Sequence, residues 1–107
     1  MASSRDYLDF VMEQLSDVEG VSYRPMMGEY VIYIRGKVAG GIFDDCFLVK
    51  PVKAACDMMP DAERVIPYEG AHEMLQVADI DDRDFLMDLL ESMYEDLPLP
   101  KNKKKRD

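Results

Sequence analysis

The chain has 107 residues, of which 48% are hydrophobic, and carries a formal net charge of −9. This length fits one domain, and six tyrosines and four phenylalanines provide apolar material that a disordered chain would lack. Apolar runs such as residues 31–34 are too short to cross a bilayer, and residues 1–20 have no apolar core typical of a signal peptide. We therefore expect a folded cytoplasmic protein that makes no membrane contact.

The charge is distributed unevenly along the chain. Residues 1–100 contain 8 Lys and Arg against 21 Asp and Glu, whereas residues 101–107 contain 5 against 1. An acidic body repels the phosphate backbone, so nucleic acid is expected to be contacted at most through the basic tail. The pattern predicts a folded domain over residues 1–98 and a disordered basic tail over residues 99–107.

The first predicted element is an amphipathic helix. Apolar residues recur at steps of three and four from Tyr7 to Val18, with acidic residues between them. Ser3 and Ser4 are candidate N-caps, and Gly20 is placed to end the helix.

The next stretch, up to Pro51, changes to a period of two and predicts an antiparallel meander. The expected strands are residues 21–25, 29–35, 38–43 and 46–50. Turns are expected at residues 35–37 and 44–45. Pro25 and Pro51 should lie at strand ends, where a missing N–H is tolerated.

The remaining chain predicts a short helix over Val52–Met59, a strand over Met74–Ala78 at an edge of the sheet, and a final helix before Pro98. Asp79 or Asp81 is expected to cap that last helix. The order is α, three or four β, α, β, α. It predicts a two-layer α+β domain, with an antiparallel sheet of four to five strands and helices packed on it.

The residues that could carry chemistry do not form a recognisable catalytic pattern. His72 is the only histidine, and Cys46 and Cys56 are expected to be reduced core residues. The many carboxylates near Asp82 suit the start and the solvent face of an acidic helix. We expect no enzyme activity, no metal site and no cofactor.

Several segments together resemble the TfoX/Sxy family, in its stand-alone N-terminal-domain form. They are Tyr-Arg-Pro-Met-Met-Gly-Glu-Tyr at 23–30, Tyr-Ile-Arg-Gly-Lys-Val at 33–38, Pro-Tyr-Glu-Gly-Ala at 67–71, Asp-Asp-Arg-Asp-Phe-Leu at 81–86 and Leu-Pro-Leu-Pro-Lys at 97–101. The resemblance covers nearly the whole chain. It implies a fold similar to the secretion chaperones, and Met27 stands where the family commonly has Phe.

Longer members of that family are coactivators of competence genes and carry a second helical domain. The resemblance implies a regulatory binding module that acts through protein contacts, with transcription machinery as one possible partner. The expected partner-binding residues are Arg24, Met26, Met27, Gly28 and Tyr30, followed by Lys101, Lys103, Lys104, Lys105 and Arg106 in the tail.

Two alternatives to the regulatory module stay open at this point. One is a homodimeric, chaperone-like adaptor that pairs through the expected edge strand over residues 74–78 or through an apolar helix face. The other is an enzyme of unrecognised type, which would need a deep pocket where His72 meets several carboxylates.

Overall fold

The computed structural model describes residues 4–26 and 28–97, and in them three helices accompany one six-stranded antiparallel sheet. The elements in chain order are α1 Arg5–Gln14, β1 Val21–Met26, β2 Glu29–Ile34, β3 Lys37–Phe43, β4 Cys46–Val49, α2 Lys53–Met58, β5 Arg64–Val65, β6 Met74–Gln76 and α3 Arg83–Tyr94. The strands are arranged β1-β2-β3-β4-β6-β5. The predicted α+β class is therefore confirmed.

Helix α1 begins where the sequence predicts and ends earlier. The Ser4 hydroxyl accepts a hydrogen bond from the Tyr7 N–H at 3.1 Å, which is the expected cap. The helix ends at Gln14, and not at Gly20, because residues 15–20 tighten into turns in which the Ser16 N–H bonds to the Glu13 carbonyl. Leu15 and Val18 nevertheless remain buried, so the apolar periodicity correctly identified a core face.

The four-strand meander agrees closely with the predicted strands. The two turns after β2 and β3 place Arg35, Gly36, Asp44 and Asp45 at positive φ, as tight type I′ hairpin turns require. Pro25 lies inside β1, opposite Tyr30, and β1 is an outermost strand of the sheet.

Three predictions about the second half of the chain need correction. The sheet has six strands because Arg64 and Val65 pair with β6 as the additional strand β5. Strand β6 consequently lies between β4 and β5, so the expected edge strand at Met74 is internal. The cap of α3 is Asp82, whose carboxylate accepts from the Phe85 N–H at 3.0 Å, and not Asp79 or Asp81.

The core lies between one face of the sheet and all three helices. Its residues are fully or almost fully buried. They include Leu8 and Val11 of α1, Ile32, Ile42, Phe47 and Leu75 of the sheet, Ala55 of α2, and Leu86, Leu89 and Leu90 of α3. Side chains alternate along a strand, so the sheet has a second face. All three helices of the described residues pack on the first face, and the second face carries no helix among them. No helix in the ranges described is long and apolar enough to span a membrane.

Candidate binding groove

The face of the sheet turned away from the helices, here called the open face, carries a second set of apolar side chains. Val31 of β2 is opposite Gly41 of β3, which in turn is opposite Leu48 of β4. Leu48 is 1% exposed although it lies outside the helix-side core cluster. In the described residues the helices pack on the other side, so a further layer over this face is formed by a loop.

That cover is the loop over residues 66–73, which folds back onto β3. The rings of Tyr68 and Phe43 lie 6.0 Å apart, and the Ala71 N–H donates to the Tyr68 carbonyl at 3.0 Å to close a turn. Gly70, inside this turn, has φ +89°, a conformation that favours glycine. The loop covers part of the open face and leaves the strip next to it accessible.

Between this loop and the first two strands lies a groove of about 530 Å³, here called the open-face groove. Its apolar lining is provided mainly by Met26, Val31, Val38, Phe43, Tyr68 and Met74. This volume falls within the range of about 300 to 1,000 Å³ that is typical of sites for small ligands. Methionine and aromatic side chains adapt well to different occupants.

Two consecutive glycines of β3 lie beside the groove, and Gly40 contributes to its lining. A Cβ atom at Gly41 would lie 2.5 Å from Cε2 of Phe43 and 2.6 Å from the carbonyl oxygen of Tyr30. Both distances are shorter than any ordinary van der Waals contact, so the Phe43 ring occupies the space that a side chain at Gly41 would need.

The polar residues that line the groove are few. Lys50 follows β4, is half-buried, and makes no ion pair within the part of the chain that the structure describes. His72 and Glu73 enter from the covering loop and are exposed, and the Glu73 carboxylate lies 3.6 Å from Nη1 of Arg64. Among the described lining residues, Lys50 is thus the one cation, and the one carboxylate already has a cationic neighbour.

The predicted partner-binding residues are divided between the two faces. Arg24 is exposed and shares the open face with Met26, which lines the groove. Tyr30 lies on the helix side, where its ring packs edge-on against Tyr23 with centroids 5.9 Å apart. Gly28 has φ +87°, as the hairpin after β1 requires. Met27 and the basic residues 101–106 lie outside the described residues.

Both cysteines are free, as expected, and both are half-buried; Cys56 packs against the core cluster, whereas Cys46 is not part of it. Cys46 Sγ is within 3.7 Å of the Gln76 amide nitrogen, and Cys56 Sγ is within 3.9 Å of Arg64 Nη2. Burial first, and then the nearby carboxylates of Asp44, Asp45 and Glu63, raise the pKa of the Cys46 thiol. A raised pKa lowers the thiolate fraction at neutral pH, which makes Cys46 a poor nucleophile.

The acidic residues at the start of α3 surround a shallow surface depression. Asp17, Asp79, Asp81 and Asp84 contribute to it together with the cap Asp82. Arg83 partly balances this charge, since its guanidinium donates to the Ser16 hydroxyl at 2.8 Å and lies 3.5 Å from Asp17. Over residues 4–26 and 28–97, no three His, Cys, Asp or Glu side chains are grouped so that they could hold a metal ion.

Most of the groove is formed by residues that no local sequence pattern brings together. Phe43 and Tyr68 meet although 24 residues separate them, and Lys50 was treated only as part of a strand. The available signal was the motif Ile66-Pro-Tyr-Glu-Gly70, which combines turn residues with two large apolar side chains. Ile66 and Tyr68 are 60% and 53% exposed, as is common for residues that border a binding site.

Comparison with known proteins finds one uncharacterized relative of similar length. No family model and no solved structure matches the chain. A protein of Spirochaeta aurantia, described as an uncharacterized 12.7 kDa protein in the trpE 5′ region, is 32% identical over 105 residues. The alignment covers 97% of this chain and 91% of that protein. The chain therefore belongs to the same family as this 12.7 kDa protein of Spirochaeta aurantia.

Proposed function

We propose that this protein is a non-enzymatic regulatory module of the cytoplasm that binds a protein partner through the open face of its sheet. The observation that carries the proposal is that this face has no helix over it in the described residues, while it bears Arg24, Met26 and the adjacent open-face groove. Such a surface, with a flexible apolar centre and an exposed arginine, has the composition that protein interfaces favour.

The partner is expected to present apolar side chains together with a carboxylate. Arg24 and Lys50 are the cations on this face, and neither forms a salt bridge within the described chain. In a protein with a net charge of −9, two cations on one apolar face can select an acidic segment and orient it.

The regulatory part of the proposal depends on the resemblance to TfoX/Sxy proteins and stays a prediction. It makes transcription machinery the first class of partner to test. The basic residues 101–106 would add attraction to an acidic protein or to nucleic acid. The alternative of a homodimeric adaptor loses one of its two motivations, because β6 is not an edge strand of the sheet, and it stays open through an apolar helix face.

The test is an affinity capture from native lysate followed by binding measurements with each purified partner. We expect capture of transcription proteins after nuclease treatment, with affinity reduced in the Arg24→Glu variant and in a chain without residues 101–107. Lys53→Glu is the matched control, because Lys53 is an exposed lysine on α2, next to Asp57 and outside the groove.

The control should bind like the unaltered protein. If Arg24→Glu and the deletion leave the affinity for every captured partner unchanged, the proposal is wrong. Capture of only the protein's own copies would instead support the dimeric adaptor.

A further inference from the structure

The open-face groove also has the features of a small-molecule site, which goes beyond the binding of a protein partner. We infer that it binds a small monocarboxylate with an apolar body, whose carboxylate contacts the ammonium group of Lys50. This inference does not depend on the proposed regulatory role, and a ligand bound in the groove would compete with a protein partner for Lys50.

The first argument is the position of Lys50. Side chains of alternate residues share a face, so Lys50 points to the same side of the sheet as Leu48, on the open face. The Lys50 N–H donates to the Ala39 carbonyl at 2.9 Å, which fixes its backbone beside β3. The half-buried side chain of Lys50 therefore extends into the groove from the end of β4, near Val38.

The positive charge of Lys50 also favours an anionic ligand in the groove. Lys50 is half-buried and lines the groove, so an anion bound there would exclude water from between the two charges and strengthen their attraction. Glu73 is close to Arg64, at 3.6 Å, so its charge is already partly balanced. Among the groove residues described, one positive charge is left for an occupant, which matches one carboxylate.

The lining of the groove fits a carboxylate better than it fits a phosphate, an uncharged ligand or a cationic ligand. A phosphate group carries more charge and is normally held by several donors, such as arginine forks or a series of backbone N–H groups. The groove offers a single lysine in a mostly apolar lining. An uncharged apolar ligand would leave the ammonium group of Lys50 without an anion, and a cationic ligand would be repelled by it.

The probe for this inference is decanoate, used below its micelle concentration and measured by titration calorimetry and by NMR chemical shifts. Decanol and decyltrimethylammonium have the same apolar chain with a neutral or a positive head. We expect one decanoate per protein, shifts confined to the groove residues, and weaker binding of both analogues.

The decisive variant is Lys50→Met, which keeps an unbranched apolar stem and removes the charge. Hydrogen bonds to charged groups contribute about 1.5–3 kcal/mol, so decanoate should bind about 10-fold to 100-fold more weakly, with decanol nearly unaffected. Lys53→Met removes a lysine outside the groove and should change neither. Tyr68→Ala, at an exposed position, should weaken both ligands because it removes part of the covering loop.

The inference is overturned if Lys50→Met binds decanoate as well as the unaltered protein does. It is also overturned if the cationic analogue binds equally well, or if none of the three amphiphiles binds. Because the readout is direct ligand binding, these outcomes are distinct from the loss of partner capture in Arg24→Glu.

Discussion

At the scale of single residues, Gly41 lets Phe43, a residue that lines the open-face groove, pack closely against β3. The strand pattern predicted that residue 41 lies in a strand but gave no reason for glycine there. The reason is tertiary, since the space for a Cβ is taken by the Phe43 ring and by the backbone of the neighbouring strand. A side-chain pattern with a period of two describes which face a residue occupies, and it carries no information about the space available on that face.

We expect Gly41→Ala to lower the free energy of unfolding by about 1–3 kcal/mol, because the Tyr30 carbonyl at 2.6 Å belongs to rigid backbone and cannot turn away. Denaturant unfolding followed by circular dichroism measures this change. Gly70→Ala is the comparison, because its added Cβ would meet no atom within 4 Å and only its φ of +89° opposes it. An unchanged unfolding midpoint in Gly41→Ala would show that β2 and β3 can separate freely at this point.

At the scale of elements, the regular patterns and the Ser4 cap of α1 were predictable, whereas the cap of α3 and strand β5 were not. The meander from β1 to β4 follows from alternating apolar residues and clear turn residues, and its strand ends agree with the structure within one residue. Strand β5 was missed because two residues cannot show a period. Its pairing depends on β6 being in place.

The start of α3 shows why the cap was assigned incorrectly. Asp79, Asp81 and Asp82 lie within four positions, and each has a side chain that can cap a helix. The sequence cannot distinguish them, because the choice depends on where the chain leaves β6 and where Leu86 and Leu89 must point to reach the core.

We expect Asp82→Ala to reduce the free energy of unfolding by about 1 kcal/mol, since it removes the acceptor for the Phe85 N–H. Asp81→Ala removes the same charge one residue earlier and should have a much smaller effect. Thermal unfolding of the two variants, at the same pH and ionic strength, makes the comparison. Equal losses would mean that the helix dipole and net charge matter at this position, and the cap hydrogen bond does not.

At the scale of the whole molecule, the two faces of the sheet have different roles. The helix side contains the buried core and was predictable from apolar periodicity in α1 and α3. The open face depends on contacts between distant segments, such as Phe43 with Tyr68, which no local pattern contains. Of the predicted partner-binding residues that the structure describes, Arg24 and Met26 lie on this face, and their role in binding stays a prediction.

Pro25 has a further consequence for how this protein behaves at high concentration. The backbone N–H of Arg35 donates to the Gly20 carbonyl, so residue 20 directs its backbone groups toward β2. Every second residue along β1 does the same, and the residues between them, including Pro25, direct their backbone groups away from β2 toward the free edge of the sheet. Proline has no hydrogen to donate there, so the longest outer strand is a poor template for another chain.

We expect Pro25→Val to promote strand addition between molecules and fibril growth on prolonged incubation, measured by light scattering and thioflavin fluorescence. Ser22→Val adds the same β-branched side chain to β1 where the backbone N–H already faces β2, so it should not accelerate growth to the same extent. Equal acceleration in both variants would assign the effect to hydrophobicity alone. In the unaltered sequence, we therefore expect the missing N–H of Pro25 to oppose the addition of another strand to the β1 edge.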